Sequence, residues 1–236
     1  MSKKIIFFDT ETTGNTTPDR LLQIAWSDGV NRQSLFFKPP LPISFESMAV
    51  HHITEKMVAD RPLFKDSPEW KDIKDLFEDE ETVVVAHNAP FDLAMLLKED
   101  IVPAHSICTL KLAHFLDPEG KIPQHKLQYL RYFLDLNVEG LAHDALGDVL
   151  VLEKLFERLK AKIEESMPGD ALENMMRISR EPMLLPKIPF GKYKDKKIAE
   201  VRETDPGYLE WLLGEKLKED PVNEDWVYTL KHYLGK

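Results

Sequence analysis

The chain has 236 residues, 43% of them hydrophobic, with 31 basic against 41 acidic side chains and a formal net charge of -10; this suits one large globular domain, or a medium one with a small appendage, and argues against a general polyanion binder. The charge argument has two exits, because carboxylate-held divalent cations or a local basic patch can still bring phosphate to an acidic protein. A lone cysteine, Cys108, excludes an intramolecular disulfide and a cysteine-rich zinc site, and with no bilayer-length apolar run and no secretory signal in MSKKIIFF the expected compartment is the cytoplasm, away from any membrane.

In chain order, IIFFDTETTG (5–14) reads as a buried strand running into a polar turn. LLQIAWSD and SLFFKP are strand-like as well, and the three are expected to pair as a meander. PLPISFESMAVHHIT reads as a connection. A solvated helix is predicted from Pro68 to Phe77, with EDEE as its exit. TVVVAHNAP is a second buried strand, and Pro90 suits the first turn of a helix over FDLAMLLKE. A short strand near Ser106 to Thr109 and helices over LKLAHFL and KLQYLRYFLDL follow.

A long amphipathic helix is predicted from near Asp144, because Val149, Leu152, Phe156, Leu159 and Ile163 recur at spacings of three and four. A meander followed by strands that alternate with helices implies a mixed sheet in an α/β layer fold. The texture changes after Glu165: residues 166–189 read as a linker with a short helix, ALENMMRIS, and three prolines in REPMLLPKIP. Residues 190–236 read as a small C-terminal α+β unit, with a turn at GKYKDKK and a helix opening at Asp205 and Pro206.

Several carboxylates are oddly placed. Asp9 and Glu11 share a strand face with Cα atoms roughly 6.6 Å apart, so a positive group belongs between them or the turn throws them into water. Asp92 falls in the first turn of a helix, where the dipole favours acids in any case. Asp148 lies beside the apolar stripe of its own helix, which is costly unless it is paired or metal-bound; Asp144 is its rival. On one continuous helix His143 would point roughly 140° away from Asp148, so the two converge only if His143 sits in the loop before it. Its reference pKa of about 6.5 suits proton transfer from water.

FDTETTG, AHNAPFD and HDALGD, in this order, resemble the three exonuclease motifs of the DEDD superfamily, in the DnaQ-like DEDDh subgroup whose third motif is histidine-x-alanine-x-x-aspartate. The resemblance implies a ribonuclease-H-like mixed sheet flanked by helices over residues 1–165. It assigns Asp9 and Glu11 to the first motif, Asp92 to the second, and His143 with Asp148, rather than Asp144, to the third. It further implies that the four acids hold two Mg²⁺ ions, replaceable by Mn²⁺, about 3.5 to 4 Å apart, with His143 as general base. ESMAVHHIT is similar to the family's substrate-contacting segment, which brings Glu46 and His51 to the terminal nucleotide; Thr12, Gly14 and His87 join them.

Between Lys187 and Arg202 there are six basic residues against two acids, with Phe190 and Tyr193 interleaved. Lys192 and Lys194 there could follow a phosphate backbone; a solvated turn over a small aromatic core explains the pattern equally well. FGKYKDKK with DPGYLEWLL resembles the tail of the bacterial exodeoxyribonuclease X group. Together these features imply a metal-dependent 3′ to 5′ exonuclease that releases 5′-mononucleotides from single- or double-stranded DNA 3′ ends in DNA repair. Alternatives are an RNA 3′-end trimmer, a polymerase proofreading subunit in contact with a polymerase or repair protein, and a non-catalytic nucleic-acid-binding module.

Overall fold

The computed structural model describes residues 3–138, 145–220 and 222–236. His143 and Asp144, the expected base and the rival acid, lie outside the described residues. In chain order the elements are strands β1 (Lys4–Thr12), β2 (Leu21–Ser27) and β3 (Arg32–Phe36), helices α1 (Phe45–His51), α2 (Glu55–Val58) and α3 (Pro68–Glu78), strand β4 (Thr82–Ala86), helix α4 (Ala89–Lys98) and strand β5 (Ser106–Cys108). Then come α5 (Thr109–Phe115), α6 (Leu127–Phe133), α7 (Ala145–Ser166), α8 (Ala171–Arg180), α9 (Ile198–Thr204), α10 (Pro206–Lys216) and α11 (Glu224–Leu234).

One five-stranded sheet has the order β3-β2-β1-β4-β5. The first three strands form the expected antiparallel meander, while β1–β4 and β4–β5 are parallel, so the sheet is mixed. Every residue of β4 is buried, because a parallel strand lies under helices on both faces and has no polar side.

Side-chain alternation divides the core in two. Phe7, Val83, Val85 and Ile107 point to one face, where α7 lays down Val149, Leu152, Phe156, Leu159 and Ile163; the Phe7 and Phe156 rings meet edge to face at 5.2 Å. Ile6, Phe8, Val84 and Ala86 point to the other, under Ile73 and Phe77 of α3 and Leu96 of α4. The same period carries on past the apolar run: Asp9 and Glu11 follow Phe7 toward α7, and Thr10 follows Phe8 toward α4.

Two segments differ from the sequence expectation. The stretch read as a plain connection holds α1, whose N-cap Ser44 Oγ accepts from Ser47 N at 3.1 Å; Phe45 and Val50 on it are exposed, so no apolar stripe marks it. Helix α8 is the short helix expected over ALENMMRIS, but it is no linker element, since it buries Ala171, Met175, Met176 and Ile178 in the α7 side of the core.

The C-terminal helices α9, α10 and α11 enclose a separate core built on Ile188, Ile198, Val201, Leu209, Leu212 and Leu230. Their β content is one antiparallel bridge between Lys187 and Lys197. Asp205 caps α10 from its side chain, accepting from Tyr208 N at 3.1 Å, and Pro206 opens that helix as expected.

Candidate active site

Asp9 and Glu11 stand at the exit of β1, on the α7 side, and α7 delivers Asp148 in its first turn. Ligand oxygens of these three half-buried carboxylates lie within 4.8 Å of one another. At an effective dielectric of about 20, two unit charges at that separation repel by roughly 3 kcal/mol. Three hard oxygen donors held together against that repulsion fit a hard divalent cation of the Mg²⁺ or Mn²⁺ kind, and the N-terminal end of α7 adds only a partial positive charge.

Asp148 is oriented from α6. Gln128 Nε2 donates to Asp148 Oδ1, Arg131 Nη1 donates to Gln128 Oε1 at 3.4 Å, and Arg131 Nη2 donates to the Val138 carbonyl at 2.6 Å. Sequence reasoning missed Gln128. It sits beside the apolar stripe of a short helix, and its partner is 20 residues away, so nothing local marks it.

The carboxyl of Asp92 is not in the group of three. It is buried on the α4 side, where its Oδ1 accepts from Thr10 N at 3.1 Å and from Thr10 Oγ1 at 2.7 Å. Burial pushes its pKa up to about 7, and the Thr10 bonds pull the other way. Strand alternation accounts for the arrangement: Thr10 faces the helix that bears Asp92, and its neighbours at 9 and 11 face away from it.

A cleft of about 670 Å³ opens beside Glu11, and Thr12, Gly14, Glu46 and His51 line it, joined by the apolar Val50 and Phe91. Backbone bonds bring α1 to this place: Ser44 N donates to the Thr13 carbonyl at 2.9 Å. His51 Nδ1 accepts from Ile53 N at 2.9 Å, which leaves the proton on Nε2 to donate to the Thr12 carbonyl at 3.3 Å. Burial lowers its pKa below the ordinary histidine value, against the Thr12 bond, which raises it. Gly14 is required by close approach. A Cβ there would meet Asp19 Oδ2 at 2.5 Å, and that carboxylate is fixed by Thr16 N at 2.7 Å and by Thr13 Oγ1 at 2.8 Å.

The other expected contact residues lie elsewhere. Both His87 ring nitrogens are occupied: Thr109 Oγ1 donates to Nδ1 at 2.9 Å and Nε2 donates to the His125 carbonyl at 2.8 Å. Burial drives its pKa down to about 4. A neutral ring so enclosed ties the start of α4 to the segment before α6, and both of its polar atoms are spent there. Lys192 Nζ pairs with Asp205 Oδ2 at 2.9 Å and rests over the Tyr193 and Tyr208 rings at 4.8 and 5.1 Å. Lys194 is exposed. Both belong to the C-terminal unit.

The family described as Exonuclease matches residues 6–156, and the one described as Exodeoxyribonuclease X-like C-terminal matches residues 188–216. Exodeoxyribonuclease 10 of Escherichia coli (strain K12) is 36% identical over 241 residues, covering 96% of each chain. The DNA polymerase III subunit epsilon of Buchnera aphidicola subsp. Schizaphis graminum is 26% identical over 226 residues, covering 86% of this chain and 93% of its own. Among solved structures, an exonuclease X in complex with 5′ overhanging duplex DNA superposes with a TM-score of 0.58 at 32% identity, over 74% of this chain and 99% of that one.

Proposed function

Since the chain belongs to the exonuclease family, and is a 3′ to 5′ exonuclease of the DnaQ-like kind, we propose that its substrate is DNA and that it releases 5′-mononucleotides by hydrolysis at the 3′ end. The observation that carries the reading is the convergence of Asp9, Glu11 and Asp148 at the exit of β1 beside the cleft. Likeness to Exodeoxyribonuclease 10 along nearly its whole length and to a duplex-bound exonuclease X supports DNA over RNA.

Divalent cations, two Mg²⁺ ions in this reading, would supply charge neutralisation and activation of the phosphodiester. The remaining work falls to the chain. Asp9, Glu11 and Asp148 hold the cations, and Gln128 keeps the Asp148 carboxylate in one orientation. Asp92, held by Thr10, would join them in this reading, its charged form favoured beside a bound cation against the burial that raises its pKa. His143, two residues before α7 in sequence, takes the proton from the attacking water. Thr12, Gly14, Glu46 and His51 shape the wall against which the terminal nucleotide lies, with Val50 and Phe91 as apolar surface for its base.

The test is a 5′-end-labelled single strand and a matched duplex incubated with Mg²⁺ and with chelator. The reading requires a ladder shortening from the 3′ end and mononucleotide product with Mg²⁺, and intact DNA with chelator. Preferential loss of a matched RNA strand would replace DNA with RNA as the substrate. A polymerase-associated proofreading role is the second reading, favoured by the likeness to subunit epsilon. It requires faster removal of a mismatched than a matched 3′ nucleotide and co-elution with a replicative polymerase.

A further inference from the structure

We propose that the DNA strand upstream of the cleaved end runs along a track of lysines that leaves the active site over the segment before α6 and continues onto the C-terminal unit. This rests on the exonuclease reading above and extends it to a surface far from the carboxylates.

The track begins at Gln128, which touches Asp148. Two residues earlier Lys126 is exposed, and Lys121 beyond it is exposed as well. The segment that carries them is rigid: buried Asp117 accepts from Lys121 N at 2.7 Å and from Ile122 N at 2.9 Å. The C-terminal unit is docked against this same segment. Lys187 Nζ donates to the Gly120 carbonyl, and Gly120, at φ +64°, lets Pro186 approach to a point where a Cβ would meet its Cγ at 2.9 Å. Lys187 is bridged in turn to Lys197, which opens the run of exposed lysines 197, 196 and 194.

Lys197 lies close enough to Glu119 to help hold its carboxyl below the usual range, behind the larger effect of Lys121, paired with Glu119 at 2.9 Å. The two groups of lysines are therefore neighbours in space. A cleft of about 400 Å³ between them is lined by Gln124, Lys126, Lys187, Asp195 and Trp226.

Charge singles out this strip. The protein carries a net -10, yet the residues from Lys187 to Arg202 hold six basic side chains against two acidic ones. Lys194 and Lys196 make no ion pair among the described residues, while Lys71 and Lys74 of α3 and Lys154, Lys160 and Lys162 of α7 are each paired within their own helix. Lysines held without partners beside a site that must receive a polyanion are suited to phosphates. The exposed Trp211, 5.5 Å from Tyr208, extends the strip with a ring that suits an unpaired base.

The experiment compares the parent protein with the triple variant Lys194→Gln, Lys196→Gln, Lys197→Gln in fluorescence-anisotropy binding to labelled single strands, with Ca²⁺ in place of Mg²⁺ to hold hydrolysis back. With a strand of about 20 nucleotides, loss of three phosphate contacts at about 0.7 each lowers the slope of log K against log salt by about 2, and affinity near physiological salt falls at least about tenfold. With a dinucleotide, too short to leave the cleft, the change stays below about twofold. Equal affinity and slope in variant and parent overturn the track, and so does an equal loss at every length, which would place the lysines at the active site. Lys126→Gln alone gives an independent reading of the segment before α6, with a slope change of about 0.7. A folded parent protein that binds no DNA of any length overturns the exonuclease reading together with the track.

Discussion

At the scale of single residues the site is an electrostatic compromise. Three carboxylates within 4.8 Å of one another cost the metal-free fold several kcal/mol at about 3 kcal/mol per pair, less what water and neighbouring donors screen. Glu11→Gln is therefore expected to raise the melting temperature of the chelated protein by a few degrees while lowering exonuclease activity at least about a hundredfold. It should also diminish the Mg²⁺-induced shift, which at a hundred times Kd amounts to about 2.7 kcal/mol in the parent. Thermal melts with chelator and with Mg²⁺ measure all of this except activity; a destabilised chelated variant would contradict the repulsion. Thr10 is the opposite case. Its hydroxyl satisfies buried Asp92 at 2.7 Å, so Thr10→Val removes a bond without changing shape and is expected to cost about 1 to 3 kcal/mol in urea unfolding, despite keeping every carboxylate.

At the scale of elements, the ring of His87 joins the start of α4 to the segment before α6, and it does so only while neutral. Its pKa is about 4 in the fold against about 6.5 in an unfolded chain, so between those values the unfolded state binds more protons and stability rises with pH. The contribution is whole above pH 6.5 and is lost as pH falls toward 4, reaching a loss of about 2 kcal/mol at pH 5. In His87→Gln, whose amide can still donate to the His125 carbonyl, the difference in unfolding free energy between pH 7 and pH 5 should shrink by about that amount; an unaltered difference would show that His87 is not the titrating group. Such a clamp was invisible in AHNAPFD, where His87 was expected at the nucleotide, because its partners Thr109 and His125 come from other elements. Period and turn chemistry, in contrast, made the sheet strands, α3, α4 and the apolar stripe of α7 readable, since each is set by its own side chains. The convergence of Asp9 and Glu11 with Asp148 was legible through the motif order together with strand alternation. Helix α1 was not, as its place is set by bonds from Ser44 and His51 to the exit of β1; nor was the tail helix α11, whose buried Trp226, Thr229 and Leu230 face a core supplied by α9 and α10.

At the scale of the whole molecule, the question is what makes the C-terminal unit part of one body when it has a core of its own. Polar contacts cross the junction: Lys111 Nζ of α5 lies 3.9 Å from Asp225 Oδ1 of α11, and Lys187 Nζ donates to the Gly120 carbonyl. Lys111 Nζ donates to the Glu181 carbonyl at 2.8 Å, Met183 N donates to Asp225 Oδ1 at 2.6 Å, and Leu185 N donates to Thr229 Oγ1 at 3.0 Å. Thr229 is fully buried and also donates to the Met183 carbonyl at 3.1 Å, so one hydroxyl satisfies two backbone groups of the chain that enters the unit. Thr229→Val keeps the volume and leaves both groups unpaired, at about 1 to 3 kcal/mol each. The penalty falls on the attachment of residues 183–189 to α11 and not on the sheet. Unfolding should then separate: Trp226 fluorescence is expected to change at a lower temperature than far-ultraviolet circular dichroism of the α/β body, and limited proteolysis should cut between residues 181 and 190 before it cuts the sheet. Because the lysine track crosses this junction, the same variant should lose affinity for strands of about 20 nucleotides while keeping that for a dinucleotide. A single coincident transition at the parent's midpoint would mean that the two cores are held together by something other than this hydroxyl.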